Sequence, residues 1–223
     1  NQALHWASAG LGGLFGTYTP QTASCAATVA DLGSQFRIAR SGIKPYACCR
    51  GLHSAVDAIG MMIAQSGASS SDIVDVAIEG NEQFALQFDR PHVASLIDAQ
   101  FSAQYTVAVT AALGSSGLDS FVPLRCDHAE VARLMSCVRV LCVRPLAIGE
   151  YPPVRLRLAD GRTFEAQVNS PRGAPDNPLT IGEVRAKART LVATVLGSEQ
   201  CDRMIEAIAS IEETHDVREV LRW

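Results

Sequence analysis

An alternating pattern at residues 154–168 restricts the fold of this chain more than any other feature of its sequence. Residues 154–158 alternate between apolar side chains and arginines, residues 164–168 alternate again, and Asp160-Gly161 stands between the two runs. A period of two is typical of strands with one buried face, and Asp-Gly is a favoured hairpin turn. The sequence therefore predicts a β-hairpin at this place.

Other segments carry apolar residues at spacings of three and four, which predict helices. We expect helices over residues 24–32, 53–65, 101–113, 129–135 and 199–212, and a last turn over 217–221. A further helix is expected to begin at a Thr180–Glu183 capping box and to end before Gly197. Apolar β-branched runs predict strands over 73–78 and 138–143, and residues 36–44 read as an extended segment. Together these elements predict an α+β fold class.

The order of elements divides the chain into three regions. Residues 35–170 hold the strands and form an α+β unit. Residues 1–34 form a helical and loop segment before it, and residues 171–223 form a proline-rich linker followed by helices.

Composition excludes several classes of protein. Hydrophobic residues make up 48% of the 223 residues and charged residues 19%, which suits a packed core rather than a disordered chain. A net charge of −4 supplies no basic face for nucleic acid, and no apolar run approaches the roughly 18 to 20 residues that span a bilayer. Because the sequence shows no basic leader followed by an apolar stretch, we expect a cytoplasmic protein without a membrane or nucleic-acid partner.

The seven cysteines predict reduced thiols rather than a metal centre. None of them forms a C-x-x-C pair, so neither a zinc ribbon nor an iron–sulfur cluster is indicated. Cys126, Asp127 and His128 are adjacent in sequence, and adjacent residues do not generally converge on one ion. We therefore expect no metal site.

The densest group of chemically capable residues lies between Lys44 and His53. Lys44, Arg50 and His53 stand around the predicted start of a helix, where exposed N–H groups also favour negative charge. Two cations and a titratable imidazole suit a ligand rich in carboxylates. The alternative is that Lys44 and Arg50 are solvated and that His53 only caps the helix.

Ser102 and Tyr105 form a second candidate group, at the front of the predicted helix over 101–113. A tyrosine hydroxyl on an apolar face hydrogen-bonds either a substrate oxygen or a buried neighbour, and core packing is the more common case. The sequence contains no G-x-S-x-G elbow, Walker loop or H-E-x-x-H motif. Hydrolase, NTPase and metalloprotease classes therefore lose their usual support.

Several of these stretches resemble one known family. Residues 44–58, which read K-P-Y-A-C-C-R-G-L-H-S-A-V-D-A, resemble the K-P-Y-P-C-C…H…D-A signature of the MmgE/PrpD family, with Ala47 where the family often has proline. Further agreement follows in order at F-S-x-x-Y-x-x-A (101–108), L-A-D-G (158–161), G-A-P-D-N-P-L-T (173–180) and the helix that contains Lys187. The resemblance covers about residues 12–223.

The resemblance implies a cofactor-independent lyase or isomerase for small di- or tricarboxylates. Its chemistry is proton transfer at a carbon next to a carboxylate, followed by loss of water, loss of CO₂ or reprotonation, with a 2-methylcitrate dehydratase slightly favoured. By resemblance, Lys44, His53 and Tyr105 are catalytic, and Arg50 and Ser102 bind the substrate. In these roles the cations neutralise carboxylates and developing charge, His53 moves a proton, and Tyr105 orients a substrate oxygen.

The resemblance also implies how a subunit is organised. Family subunits combine a large all-helical domain with an α+β lid, place the site in the cleft between them, and are commonly homodimers. The N-terminal half of the helical domain is absent from this chain, which begins at Asn1 rather than Met. We therefore expect a fragment or one part of a split subunit, inactive alone, whose helices after Thr180 expose an apolar face. The alternative is a non-catalytic fragment that binds carboxylates or mediates subunit contact.

Overall fold

The computed structural model describes residues 31–147 and 149–220, which belong to two compact units, Asn1–Ser41 and Gly42–Trp223. In the first unit, the described residues form a turn at 31–34 and a 3₁₀ turn at Arg37–Arg40. The helix predicted over 24–32 lies outside the described residues except for its last two, which belong to the turn.

The extended segment predicted over residues 36–44 is wrong at Arg37–Arg40, where the backbone forms the 3₁₀ turn. Phe36, Ile38 and, after an irregular step, Ile43 suggested extended backbone. The side chains of Phe36 and Ile38 are exposed, and neither residue pairs with a described strand. Alternation over so few residues gives no strand where no neighbouring strand pairs with it.

The second unit contains eight helices and four strands among the described residues. The helices are α1 (His53–Ser66), α2 (Glu82–Phe88), α3 (Leu96–Phe101), α4 (Ala103–Leu113), α5 (Ala129–Cys137), α6 (Ile181–Leu196), α7 (Ser198–Ala209) and α8 (Val217–Val220). The strands are β1 (Ile73–Gly80), β2 (Val138–Cys142), β3 (Val154–Leu158) and β4 (Thr163–Ala166). The predicted α+β class is confirmed.

The four strands form one mixed sheet in the order β2-β1-β3-β4. Strands β1 and β2 are parallel, with Val76 opposite Val138, and α2 to α5 form the crossover that a parallel pair requires. The predicted hairpin is confirmed, because β3 pairs with β4 in antiparallel register and Gly161 turns the chain with a φ of +89°. Along β3, buried and exposed residues alternate as the sequence predicted.

Most predicted helices are confirmed to within a few residues at their ends: α1, α5, α6, α7 and the last turn, α8. The helix predicted over 101–113 begins later, because Ser102 separates α3 from α4 and its hydroxyl caps α4. Helices α2 and α3 were not predicted. They have seven and six residues, too few to show a helical period, although Asn81 and Ser95 are capping residues at their starts.

Helix α4 lies at the centre of the hydrophobic core. Eight of its eleven residues are buried, and it packs against α1, α5 and β2. A helix buried on most sides needs few polar positions, which agrees with its apolar sequence. Since α1 also packs on β3 and β4, it lies between α4 and the sheet, and the residues of its first turn, 53–56, are buried.

Helices α6 and α7 pack on each other and contribute less to the core. No residue of α6 is fully buried, and Ile181, Leu191 and Val195 are exposed. Across the described ranges, no helix is both long enough and apolar enough to traverse a bilayer.

Candidate functional site

Three of the five predicted site residues meet where the chain enters α1. Arg50 begins the 3₁₀ turn Arg50–Leu52, which runs directly into His53, the first residue of α1. The Arg50 Nη1 atom lies 3.3 Å from His53 Nδ1. Lys44 stands just before, and its ammonium group donates a 3.3 Å hydrogen bond to the carbonyl oxygen of Cys48. The tight turn thus gathers a lysine, an arginine and a histidine.

His53 is fully buried, and its Nε2 atom has no hydrogen-bond partner among the described residues. Its ring lies edge-on to that of Tyr46, with centroids 5.0 Å apart. Burial, and after it the neighbouring Arg50 charge, lower the pKa of His53 to about 4. The imidazole is therefore neutral at pH 7. Because a guanidinium only donates, the contact with Arg50 favours the tautomer in which Nδ1 accepts and Nε2 carries the proton.

Tyr105 and Ser102 lie inside the core instead, and both hydroxyls are engaged with backbone. The Tyr105 hydroxyl donates to the carbonyl oxygen of Ser120 at 2.6 Å and accepts from the N–H of Arg125 at 2.9 Å. Burial raises the pKa of this tyrosine. The Ser102 hydroxyl accepts from the N–H of Tyr105 and donates to the carbonyl oxygen of Arg90. Neither hydroxyl bonds to Lys44, Arg50 or His53, and their roles in substrate binding stay predictions.

Asp57 connects the start of α1 to the linker before α6. The sequence analysis did not predict this structural role. One carboxylate oxygen accepts from the Tyr46 hydroxyl, and the other accepts a 2.6 Å hydrogen bond from the backbone N–H of Arg172. The carbonyl oxygen of Arg172 in turn accepts from Arg50 at 3.2 Å. We call Arg50, Asp57 and Arg172 the linker clasp. Its sequence signal was the aspartate of the D-A pair in the family signature.

The charge of Arg172 is already neutralised within the chain. Its guanidinium forms an ion pair with Glu183 and also donates to Asn177. Glu183 belongs to the capping box at the start of α6, and its bond to Arg172 lowers the pKa of its carboxyl to about 2. Arg172 is therefore a structural cation, in contrast to Lys44 and Arg50.

Two cavities border Tyr46. The larger, of about 660 Å³, is lined by apolar side chains such as Val56 and Met61 and by polar ones, among them Asp57, Ser115, Ser116, Arg172, Asn177 and Glu183. The smaller, of about 260 Å³, lies between residues 45–47 and α6 and is lined by Leu118, Lys187, Thr190 and Leu191. Lys44, Arg50 and His53 line neither cavity. In the described part of the chain, no three His, Cys, Asp or Glu side chains are grouped to hold a metal ion.

A comparison with known protein families gives a match that covers most of the chain. Residues 46–213 match the MmgE/PrpD C-terminal domain, and the chain belongs to this family. The chain is also similar to a cis-aconitate decarboxylase-like protein of Aspergillus oryzae, at 27% identity over 219 residues. That match covers 91% of this chain and 44% of the relative, so the chain spans less than half the length of that protein.

Proposed function

We propose that this chain contributes the carboxylate-binding groups of a lyase or isomerase that acts on small di- or tricarboxylates. The observation that supports this most directly is the group of Lys44, Arg50 and His53 at the start of α1. Arg50 contacts Nδ1 of His53, Lys44 bonds the carbonyl oxygen of Cys48, and the other ring nitrogen of His53, Nε2, has no hydrogen-bond partner among the described residues. A buried donor without a partner indicates that a further group is needed there. Beside two cations, the group of matching charge and hydrogen-bonding capacity is a carboxylate.

The chemistry follows from the charges. When a carbon next to a carboxylate passes its proton to a base, which is water for the chain alone, the electron pair of the broken C–H bond moves onto the carboxylate oxygens. Lys44 and Arg50 stabilise this developing charge, and a neutral His53 donates a hydrogen bond to the same oxygens from Nε2. Return of a proton to the same carbon completes an epimerisation, and departure of hydroxide from the neighbouring carbon, which takes up a proton to become water, completes a dehydration. In a decarboxylation the C–C bond to the departing CO₂ breaks in place of the C–H bond, its electron pair is stabilised by the remaining carboxylate in the same way, and a proton is then added.

The finer choice among these reactions is part of the proposal. The relative from Aspergillus oryzae is named for cis-aconitate decarboxylation, which favours cis-aconitate as the first substrate to test. A 2-methylcitrate dehydratase, which the family resemblance slightly favours, would use the same groups on a ligand of similar size and charge. Neither reaction requires a cofactor in this scheme.

The first experiment measures carboxylate binding and proton exchange by the 223-residue chain. We expect calorimetric binding of cis-aconitate that weakens at least about tenfold in Arg50→Met, because one charged hydrogen-bonding partner is worth about 1.5–3 kcal/mol. The matched control is Arg189→Met, since Arg189 pairs with Asp202 on α7. The absence of any binding by the wild-type chain would overturn the proposal.

Proton exchange separates catalysis from simple binding. In D₂O, a catalytic site exchanges the acidic C–H of its ligand for deuterium, which NMR detects without net turnover. We expect slow exchange that depends on Arg50, and no measurable turnover from this chain alone. Binding without exchange would favour the alternative, a non-catalytic carboxylate-binding fragment. Turnover by this chain would contradict the expectation that it is inactive alone.

A further inference from the structure

Helix α6 carries three cations at alternate positions, and one of them faces a different way from the others. Arg185 pairs with Glu206 at 3.0 Å, and Arg189 pairs with Asp202 at 2.7 Å, both on α7. In a helix, residues four apart share a face and the residue between them lies on the opposite side. Lys187 accordingly reaches away from α7, and its ammonium group donates a 2.5 Å hydrogen bond to the carbonyl oxygen of Lys44.

Lys187 is therefore a third cation near Lys44 and Arg50, the two cations of the candidate site. Within the described residues, Lys44, Arg50 and Lys187 make no ion pair with a carboxylate, although most arginines on this surface do. The charges of Arg50, Lys44 and Lys187 all lower the pKa of His53, so the three cations lie around one imidazole. Like charges in this arrangement repel one another, and an anion between them relieves the repulsion. This local group of positive charges stands in a chain whose net charge is −4, so it does not follow from a general excess of cations.

The surroundings of Lys187 leave room for part of a small ligand. Its side chain is half-buried and lines the cavity of about 260 Å³, together with Tyr46, Leu118 and Leu191. The ammonium group has three donors, and the bond to Lys44 uses one of them. The remaining donors can bind a carboxylate, while the apolar part of the wall suits the carbon chain of a small acid.

We propose that Lys187 is a substrate-binding residue, which together with Lys44 and Arg50 selects ligands with three carboxylates over those with one. The inference rests on the proposed function and narrows its substrate class. Each of the three cations can neutralise a different carboxylate, because they lie on separate elements. Lys44 is in the loop before the 3₁₀ turn, Arg50 is in that turn, and Lys187 is on α6. A monocarboxylate occupies only one of them and gains little from Lys187.

The test compares three unreactive probes, tricarballylate, glutarate and acetate, in binding to the wild-type chain, to Lys187→Met and to the control Arg189→Met. Wild type is expected to bind tricarballylate most tightly and acetate most weakly, with an affinity that falls as salt is added. Lys187→Met is expected to weaken tricarballylate at least about tenfold and acetate less than about twofold. Lys187→Arg keeps the charge and is expected to retain most of the affinity.

A second readout does not depend on any ligand. If the Lys187 ammonium lies close to His53, its removal raises the His53 pKa, which NMR titration measures in Lys187→Met. The same spectra show whether the variant is folded, and Lys187→Gln serves as a further neutral variant.

The outcomes distinguish this inference from the proposed function. If wild type binds carboxylates and Lys187→Met leaves the preference for tricarballylate unchanged, the inference fails and the proposed function stands. If Lys187→Met weakens the binding of all three probes equally, Lys187 has only a structural role, as the hydrogen-bond donor that connects α6 to residue 44. That result also overturns the inference. If wild type binds none of the probes, the proposed function fails, and the role of Lys187 fails with it.

Discussion

The carboxylate of Asp57 accepts a 2.6 Å hydrogen bond from the backbone N–H of Arg172, a residue 115 positions further along the chain. This bond fixes the linker against the first turns of α1. Because the carbonyl oxygen of Arg172 accepts from Arg50, the same contact also fixes the guanidinium beside His53. The linker before α6 is thus part of the candidate site rather than a passive connection.

Asp57→Asn is expected to destabilise the chain by about 1–3 kcal/mol, because an amide presents only one acceptor where two donors now meet a carboxylate. The donors are the Tyr46 hydroxyl and the Arg172 N–H. Urea unfolding followed by circular dichroism measures the loss. The control is Asp75→Asn, which breaks a surface pair with Arg139 and is expected to cost less. Equal losses in the two variants would contradict the importance of the clasp.

The stability of the chain should depend on pH through His53. The pKa of His53 is about 4 in the folded chain and near 6.5 in the unfolded chain, so between these values the unfolded state binds more protons. Stability contributed by the neutral imidazole is therefore present above pH 6.5 and is lost as the pH falls toward 4. The loss is on the order of 3 kcal/mol, from 1.36 kcal/mol per pKa unit.

Chemical unfolding at a series of pH values between 4 and 7 tests this dependence. His53→Gln removes the part of the dependence that arises from His53, because glutamine does not titrate, so the effect of His53 is the difference between the wild-type and variant curves. The carboxyls of Glu130, Glu150 and Glu183, with pKa values of about 2 in the folded chain and near 4.5 in the unfolded chain, also cost stability below about pH 5, so the difference is clearest between about pH 5.5 and 7. A wild-type stability that stays flat from pH 7 to pH 4 would show that His53 is not a buried neutral group.

Two glycines near the site should respond in opposite directions to alanine. A Cβ atom at Gly51 would lie 2.5 Å from Cζ of Phe88, which is buried, so Gly51→Ala is expected to destabilise by about 1–3 kcal/mol through overpacking. At Gly60, in the exposed face of α1, a Cβ meets nothing within 4 Å, and alanine is expected to stabilise the helix by about 0.5–1 kcal/mol. Thermal unfolding of both variants measures the contrast, and a loss of stability in Gly60→Ala would contradict it.

Local patterns in the sequence were sufficient to predict much of the fold. The hairpin at residues 154–168 was predictable because its alternation and its Asp160-Gly161 turn are both local. Helix α6 was predictable because its period and its Thr180–Glu183 capping box lie within one segment. Helices α2 and α3 were missed because each has too few residues to show a period. The extended segment expected over residues 36–44 was wrong at Arg37–Arg40, which form a 3₁₀ turn.

The candidate site was less predictable, because its geometry depends on distant residues. Lys44, Arg50 and His53 stand close in sequence, and a single turn brings them together. The hydrogen bond between Asp57 and Arg172 joins two segments whose proximity no local pattern reveals. Likewise, the partners that engage the Tyr105 hydroxyl, Ser120 and Arg125, lie in a region without periodicity, so its surroundings could not be predicted.

The cysteines should differ widely in reactivity, according to exposure and pKa. Cys142, at the end of β2, is exposed, whereas Cys48 is only 3% exposed and burial raises the pKa of its thiol to about 12. Since the thiolate is the reactive form, iodoacetamide at pH 8 is expected to modify Cys142 at least about tenfold faster than Cys48. Peptide mass spectrometry over time gives both rates. In denaturant the difference should vanish, because it arises from the fold. If native Cys48 reacts as fast as Cys142, the segment between Lys44 and His53 is open to solvent. His53 would then not be a buried, neutral group, and the proposed chemistry, which depends on that state, would fail.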